Sequence, residues 1–321
     1  MKISVIIPTH NRHEKLRETV AGLRQQNFST EDYEIIVVDD TSTPPVAFEK
    51  DFTDSPNVSV IRLEGAERSL ARNTGANAAT GELLVFVDND IEVNKEFLAE
   101  HWRAHTEFSD ALAVGAILLP AENQNLPFVR FRQRLEQTGV PRKYGLIEDK
   151  NFCAAANTSI KRKLFFELAG FDLTISSSED QDLALRHTSK GGKIVFVPDA
   201  MAIHRDNALD IRTYCQRNEW GSRLMSPFYQ RYPDLPQNIE RERINGLVKF
   251  GKEPFLQSLR KLVKNIISFR LITNGLFLTA NVLEKISPNS KLLDKNYRIL
   301  LGSHIFRGYR AAMKTKTDIL N

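Results

Sequence analysis

The stretch "LLVFVDNDIEV", residues 83–93, places two acids, Asp88 and Asp90, one residue apart after five consecutive apolar residues. Two ionised carboxylates at this spacing repel each other, and holding them beside a buried strand is costly unless a cation compensates them. Oxygen ligands of this kind suit Mg²⁺ or Mn²⁺, and such an ion usually keeps substrate phosphates as further ligands. The pattern therefore predicts a site for a divalent metal ion and a diphosphate.

A second acidic strand end and a nearby arginine suit the same chemistry. The segment "VVDDTS", residues 37–42, ends an apolar run with Asp39 and Asp40. A carboxylate there can accept hydrogen bonds from a nucleobase or a ribose hydroxyl, although Asp40 also suits the cap of a turn. Arg72 precedes the "LLVFVDND" strand, where it suits either a phosphate or a structural salt bridge with an acid.

A third acidic group lies in "SSSEDQD", residues 176–182, at the start of a predicted helix. Ser178 and Gln181 have the spacing of a capping box, and acids favour the first turn of a helix. The alternative interpretation is catalytic, because a carboxylate of Glu179 or Asp180 can act as a general base. The two interpretations are compatible, since a capped helix also orients its first turn.

Strands and helices alternate through the first half of the chain, which predicts βαβ units and a parallel sheet. Strands that are apolar throughout are covered on both faces, and ligands bind beyond their carboxyl ends, where these acids fall. Residues 121–172 are less regular, and we interpret most of them as a long connection around the site. The predicted strands cover residues 2–8, 33–40, 57–64, 82–90, 111–120 and 193–204.

The C-terminal part differs in pattern and in charge. From about residue 207 it is mostly helical, and from residue 241 onward it holds 16 Lys or Arg against 5 Asp or Glu. An apolar stripe flanked by basic residues is typical of a helix that lies on an anionic membrane. The alternatives are a helical subdomain that packs on the core or against a second copy of the chain. Nucleic acid is not expected as a partner, because the chain carries no recognised nucleic-acid motif.

Several other classes of protein are excluded by missing motifs. The chain has neither G-x-G-x-x-G nor a P-loop, and the kinase-like "HRD" at residues 204–206 is not accompanied by a Gly-rich loop or D-F-G. Cys153 and Cys215 are too few and too far apart for a zinc site or a disulfide framework. Without a signal-peptide pattern or an 18-residue apolar run, we expect a cytoplasmic protein.

Four of these segments occur in the order that is typical of one family. They are "VIIPTHNR" at residues 5–12, "VVDDTS" at 37–42, "ARNTGANAATGELLVFVDND" at 71–90 and "EDQDLALR" at 179–186. Together they resemble the family 2 glycosyltransferases with the GT-A fold. The resemblance implies an α/β, Rossmann-like domain over residues 1–206, with a mainly parallel sheet flanked by helices. Residues 207–321 form a helical C-terminal extension in this interpretation.

The resemblance also implies roles for individual residues. Asp180 matches the general base and Glu179 is its paired catalytic candidate. Asp90 matches the ligand of Mn²⁺ or Mg²⁺, with Asp88 and His204 as further candidates, although a lone histidine is more often structural. The positions that match nucleotide binding are Pro8, Thr9, Asp39, Asp40 and Asp88 at strand ends, and Arg72 of the "ARN" element.

The implied reaction is inverting transfer of a sugar from a nucleotide-diphosphate sugar, with UDP favoured, to an acceptor hydroxyl. The expected acceptor is a saccharide or lipid-linked saccharide in the synthesis of a cell-surface polysaccharide or glycolipid, at the inner face of the cell membrane. One alternative is a non-catalytic nucleotide-sugar-binding or membrane-scaffold protein on the same fold. A sugar nucleotidyltransferase is disfavoured, because "PTHNRHEK" lacks the glycines of its N-terminal loop.

Overall fold

The computed structural model describes residues 1–47, 52, 57–65, 67–206 and 208–319, with side chains as far as residue 314. The chain divides into two compact units. The first comprises Met1–Pro120 and Gly139–Asp206, and the second comprises Ala121–Thr138 and Asn207–Asn321. The sequence-based division also ended the first part at residue 206, but it left residues 121–138 there, whereas the structure packs them in the second unit.

The helices and strands are numbered in chain order. The strands are β1 Ile3–Thr9, β2 Tyr33–Asp40, β3 Val58–Leu63, β4 Leu83–Val87, β5 Ile91–Val93, β6 Ala111–Leu118, β7 Gly145–Ile147, β8 Asn157–Lys161 and β9 Lys193–His204. The helices are α1 His13–Leu23, α2 Arg68–Ala78, α3 Phe97–Glu107, α4 Pro127–Glu136, α5 Arg162–Glu167, α6 Glu179–Ser189, α7 Ile211–Leu224, α8 Ser226–Arg231, α9 Pro236–Asn245, α10 Phe255–Ile267, α11 Arg270–Ile286 and α12 Lys291–Ile319.

The first unit is built on one mixed sheet with the strand order β3-β2-β1-β4-β8-β6-β9-β5, and β7 pairs with β9. The pairs β1–β2, β2–β3, β1–β4 and β6–β9 are parallel, as the alternation of strands and helices predicts. Strand β8 lies antiparallel between β4 and β6. The prediction of a mainly parallel sheet is therefore right for the N-terminal strands, but it missed β8.

Strand β8 escaped prediction because its buried residues are polar. It reads "NTSIK", and Asn157, Thr158 and Ser159 are all fully buried. The Asn157 amide donates to the carbonyl of Ala116 at 3.0 Å and to that of Ala200 at 2.9 Å, so its burial leaves these donors satisfied. A strand whose polar groups are satisfied by neighbouring segments shows no apolar period in its own sequence.

Both faces of the sheet are covered, which confirms the interpretation of the apolar strands. Val5 points to the cluster that contains Leu16 and Val20 of α1. Its neighbour Ile6 points to the opposite cluster, with Ala71 and Ala76 of α2. Helices on both faces leave the carboxyl ends of β1, β2 and β4 as the open edge of the sheet.

The second unit is helical, as predicted for the C-terminal region. Its core joins α4 to α7, α11 and α12 through rings such as Phe128, Tyr214, Phe277 and Tyr297. Among the described residues no single helix has the length and apolar composition to cross a bilayer. Helices α10 and α11 meet those criteria only as a pair, and they are bent by 76° where they meet.

Candidate active site

The polar strand ends of β1, β2 and β4 meet at one edge of the sheet. In the parallel register Thr9 lies opposite Asp39, and Ile6 lies opposite Phe86 two residues before Asp88. The Asn89 amide donates to the Thr9 hydroxyl at 2.6 Å, which ties the loop after β4 to the end of β1. The sheet therefore brings together the residues at the ends of β1, β2 and β4, as the sequence predicts.

Arg72 lies at the centre of the acidic cluster and is fully buried. Its Nη2 donates to Asp88 Oδ1 at 2.8 Å, and its Nη1 donates to Glu179 Oε1 at 2.7 Å. Burial raises the pKa of Asp88, but the charges of Arg72 and Arg68 and the hydrogen bond from Arg72 together outweigh burial and hold that pKa below its usual value. The guanidinium therefore joins the end of β4 to the first turn of α6.

The position of Arg72 is fixed by the local structure of α2. Glu67 precedes this helix, and its carboxylate accepts from the backbone N–H groups of Ser69 at 3.1 Å and Leu70 at 2.6 Å. A carboxylate at this position accepts from backbone N–H groups that have no partner within the helix. Its negative charge also interacts favourably with the positive end of the helix dipole. Arg72 follows one turn later, on the face of α2 that packs against the sheet.

Asp90 is buried and contacts two basic side chains. Arg12 Nη1 donates to its Oδ2, and His204 Nε2 lies 3.3 Å from its Oδ1. The antiparallel pairing of β5 with β9 places Ile91 opposite His204 and so brings the histidine to Asp90. Arg12 was missed in the sequence, although it is the only Lys or Arg in the "VIIPTHNR" motif.

A divalent metal fits this arrangement with few protein ligands. The described residues contain no group of three or more His, Cys, Asp or Glu side chains placed to hold a metal ion. Asp90 and Asp88 each have one oxygen engaged by an arginine, Arg12 and Arg72 respectively, but only Asp90 has His204 beside its other oxygen. An Mg²⁺ or Mn²⁺ ion commonly takes one or two protein ligands and completes its shell with phosphates and water. The donor pair of Asp90 and His204 suits that kind of site.

Asp180 is half-buried in the first turn of α6. It accepts hydrogen bonds from the N–H groups of Gln181 at 2.8 Å and Ala155 at 3.2 Å. Burial, followed by the neighbouring negative charge of Glu179, raises the pKa of Asp180 to about 6. A carboxylate with such a pKa is ionised near neutral pH and remains basic enough to accept a proton.

The predicted capping box at the start of α6 is wrong. Ser178 is the N-cap residue, but its φ is 66° and its side chain makes no capping hydrogen bond. A capping side chain needs an N-cap residue in the β region, so the left-handed backbone at Ser178 removes the geometry that the motif requires.

Instead, α6 is anchored to the loop after α5. The buried Asp182 carboxylate accepts from Arg186 Nε at 2.7 Å, and Arg186 Nη2 donates to the carbonyl of Gly170 at 2.8 Å.

The two acids at the end of β2 have different surroundings. Asp39 is fully buried and accepts from the N–H groups of Ser42 and Val46, both at 2.9 Å, and from Arg62. Burial raises the pKa of Asp39, but these hydrogen bonds outweigh burial and lower it below its usual value. Both of its oxygens are thus engaged in holding the loop after β2, a role that the sequence did not reveal.

Among the described residues, the Asp40 carboxylate accepts one such bond, at 3.3 Å from the backbone N–H of Glu67. Burial raises the pKa of Asp40, and the charges of Glu67 and Asp39 add to that effect.

Comparison with known proteins agrees with this architecture. The model of the family described as "Glycosyl transferase family 2" matches residues 4–168, about half of the chain. The pre-mycofactocin glycosyltransferase of Mycobacterium tuberculosis is 25% identical over 236 residues, which are 72% of this chain and 48% of that protein. The poly(ribitol-phosphate) β-N-acetylglucosaminyltransferase TarS of Staphylococcus aureus is 35% identical over 103 residues, 31% of this chain and 18% of TarS. The chain therefore spans at most about half the length of these relatives.

Solved structures share the fold over nearly the whole chain. The mannosyltransferase PcManGT of Pyrobaculum calidifontis, in complex with GDP-Man and Mn²⁺, has a TM-score of 0.62 at 16% identity, covering 95% of this chain and 86% of its own. Residues 1–349 of S. aureus TarS, in complex with UDP-GlcNAc, have a TM-score of 0.54 at 18% identity. The match covers 99% of this chain and 92% of the TarS chain. The GT-A fold predicted from the motifs is confirmed.

Replacing Arg72 by alanine removes the link between β4 and α6. It leaves Asp88 and Glu179 close together without their cation, and we expect a loss of about 2–4 kcal/mol in the free energy of unfolding. The value lies towards the low side of the range for buried pairs because the Asp88 side chain is 26% exposed. Urea unfolding monitored by circular dichroism measures the change.

Arg103→Ala is the matched control. Arg103 also pairs with two carboxylates, those of Glu100 and Glu107, but its side chain is 41% exposed. We expect a loss of less than about 1 kcal/mol. Equal losses for the two variants would contradict a special role for the buried arginine.

Proposed function

Because this chain belongs to glycosyl transferase family 2, we propose that it is a metal-dependent, inverting enzyme. It moves a sugar from a nucleotide-diphosphate sugar to an acceptor hydroxyl. The observation that carries the proposal is the buried Arg72, which holds the acid at the end of β4 beside the acid pair of α6. A donor site and a base site held in one rigid cluster are what direct displacement at a sugar carbon needs.

Departure of the nucleoside diphosphate leaves negative charge, and the edge near Asp90 is suited to stabilise it. Asp90 and His204 would hold a Mn²⁺ or Mg²⁺ ion, which supplies positive charge to the diphosphate when it is bound. Arg12 contacts Asp90 and keeps 46% of its side chain exposed, so its guanidinium is accessible to a phosphate as well. In this proposal the Asp90 carboxylate binds the metal ion, and Arg12 stabilises the negative charge of the departing diphosphate.

The acceptor hydroxyl loses its proton as it attacks, and Asp180 is the proposed base. Its half-buried carboxylate is oriented by two backbone N–H groups. Glu179 was a second catalytic candidate in the sequence, but its carboxylate is engaged by Arg72. We assign it a positioning role. One base without a covalent nucleophile corresponds to inversion at the anomeric carbon.

Thr9 and Asp40, beside Pro8, are the proposed contacts for the nucleoside. A UDP-sugar is the favoured donor, supported by the UDP-GlcNAc in the TarS structure, although PcManGT was solved with GDP-Man. The names of the relatives include poly(ribitol-phosphate) and pre-mycofactocin. We therefore place the reaction in the synthesis of a polysaccharide or glycoconjugate, with a saccharide or lipid-linked saccharide as acceptor.

Asp90→Ala should weaken the binding of a nucleoside diphosphate that depends on Mn²⁺. At a ligand concentration of about 100 times Kd, binding stabilises the wild-type protein by ~2.7 kcal/mol, which is read as a rise in Tm. The variant should lose most of that rise with UDP and Mn²⁺. Asp110→Ala, an exposed acid of the same unit, should keep it. An undiminished rise in the Asp90 variant would contradict the proposed ligand.

Asp180→Asn should separate turnover from binding. The amide keeps the size of the side chain but cannot take the acceptor proton, so kcat should fall by about 10²–10⁴-fold. The Tm rise with UDP and Mn²⁺ should stay as in the wild type. Sugar transfer or donor hydrolysis is measured with several nucleotide sugars. A wild-type protein that binds donors without turning any of them over would instead be a non-catalytic binding protein.

The pH dependence of the rate provides a further test of Asp180. Since the base must be ionised and its pKa is about 6, kcat/KM should fall about tenfold per unit as the pH drops below 6. Glu179→Gln removes one of the two causes of the raised pKa, so the acidic limb of the profile should move to lower pH. A wild-type limb near pH 4, the ordinary range of an aspartate, would contradict the raised pKa of Asp180.

A further inference from the structure

Helices α10 and α11 of the second unit carry apolar side chains on their outer surface. In a soluble protein the apolar stripe of such a helix normally faces the core. Here the outward side chains are between 38% and 85% exposed. We call this set the apolar surface: Phe255, Leu256, Leu259, Leu262, Val263, Ile266, Leu271, Leu278, Val282 and Ile286.

The inward face of α10 is polar, so the orientation of this helix is fixed. Lys261 is buried, and its Nζ donates to Glu253 at 2.6 Å and to the carbonyl of Leu247 at 3.0 Å. Ser258 donates to the same Glu253 carboxylate at 2.9 Å. Rotating α10 to bury its apolar side would leave these groups without partners, at a cost that burial of charged groups makes large.

The other helix, α11, is apolar on two sides. Its inner face places Phe277, Ala280 and Leu283 in the core, while Leu271 and Leu278 lie on the outer side. An apolar side that faces away from the core of a helical unit is exposed to water unless a partner or a membrane covers it. The outer side of α11 therefore has the composition of a binding surface, which becomes buried when its partner binds.

An open apolar groove of about 490 Å³ extends the apolar surface. Leu256, Leu259 and Val263 belong to both, and the positively charged Arg260 and Arg298 also line the groove. A groove of this kind can receive a hydrocarbon chain while its rim stays in contact with polar groups.

Arginines without acidic partners line a second cleft, of about 440 Å³, along α11. Arg212, Arg223 and Arg270 have no carboxylate partner in the part of the chain that the structure describes. Arg212 stacks on Phe277 at 4.1 Å, and the acid of the cleft, Glu219, is already paired with Arg307 at 2.8 Å. The cleft thus holds uncompensated positive charge, and Arg270 directly precedes Leu271 of the apolar surface.

We propose that the apolar surface docks on a lipid bilayer that contains anionic headgroups, and that the arginine cleft binds their phosphates. Apolar area beside unpaired cations is the combination that holds a helix in the plane of a membrane interface. A second copy of the chain fits less well, because two identical cationic faces repel each other. The proposal does not depend on the transfer chemistry, but it would place the enzyme where a lipid-linked acceptor lies.

Co-sedimentation of the full chain with vesicles tests the apolar surface. We expect binding to vesicles of phosphatidylcholine with phosphatidylglycerol, and weaker binding to phosphatidylcholine alone. Leu271→Glu combined with Leu278→Glu should lower the binding by more than about tenfold. Leu146→Glu is the matched control, because Leu146 is a 51% exposed leucine on β7 of the first unit, and it should bind like the wild type.

A second pair of variants tests the charge. Arg223→Glu combined with Arg270→Glu should abolish the preference for phosphatidylglycerol, while Lys163→Glu, whose native side chain is 89% exposed on the first unit, should keep it. Added salt should weaken the wild-type binding to anionic vesicles.

Three results would overturn the proposal. They are wild-type protein that binds neither vesicle, leucine variants that bind as well as the wild type, and a lipid-free dimer that the leucine variants convert to monomer in light scattering. Far-UV circular dichroism shows whether each variant is folded. Donor hydrolysis measured without vesicles reports on the first unit, so a failure of the proposed catalysis is distinguishable from a failure of membrane binding.

Discussion

The first unit depends on one buried cation that two acids share. Arg72 is fully buried, and its two terminal nitrogens donate to Asp88 and Glu179, residues from two different elements of the fold. Removing these charges from water is costly, and only well-directed hydrogen bonds offset that cost. The planar guanidinium suits the task because it presents several donors in a fixed geometry, which a lysine ammonium does not. The end of β4 and the start of α6 are therefore held in one arrangement.

The acids around this cation are distinguished by their surroundings rather than by their type. Asp39 and Asp182 are fully buried and engaged by backbone N–H groups or an arginine, so they hold loops and helices in place. Asp180 keeps a raised pKa, because burial and a neighbouring charge oppose its ionisation. The pKa of Asp39 is lowered and that of Asp180 is raised, and such a separation between carboxyl groups is typical of acid–base sites. The short segment "EDQD" thus contains a structural acid two residues after the proposed base.

The two units differ in which side chains face inward. In the sheet unit apolar side chains form the core, and a buried polar side chain such as Asn157 donates to carbonyl groups of neighbouring segments. In α10 the polar side, with Lys261, packs inward and the apolar side is exposed. Such an arrangement is stable only if the internal salt bridges are well satisfied, and the Lys261–Glu253 pair at 2.6 Å meets that condition. The side of α10 that packs inward is therefore opposite in character to the apolar core of the sheet unit.

The sequence by itself determined the N-terminal strands, the acids that follow them and the family. These features are local: an apolar run predicts a covered strand, and the parallel topology places the acid after each run at one edge. Strand β8 was not predictable in this way, because its buried polar residues are satisfied by segments elsewhere in the chain. The capping box at Ser178 failed for a related reason, since the backbone conformation there is left-handed.

Only the tertiary structure decided the partners of the charges. Arg72 and Glu179 are 107 residues apart, and Arg12 and Asp90 are 78 apart. The spacing of residues within one segment carries no information about which distant segment packs against it. For the same reason the sequence did not determine whether the C-terminal apolar stripe faces the core or the solvent. An amphipathic pattern specifies two faces, but which face is buried depends on whether the polar side finds internal partners, as Lys261 does.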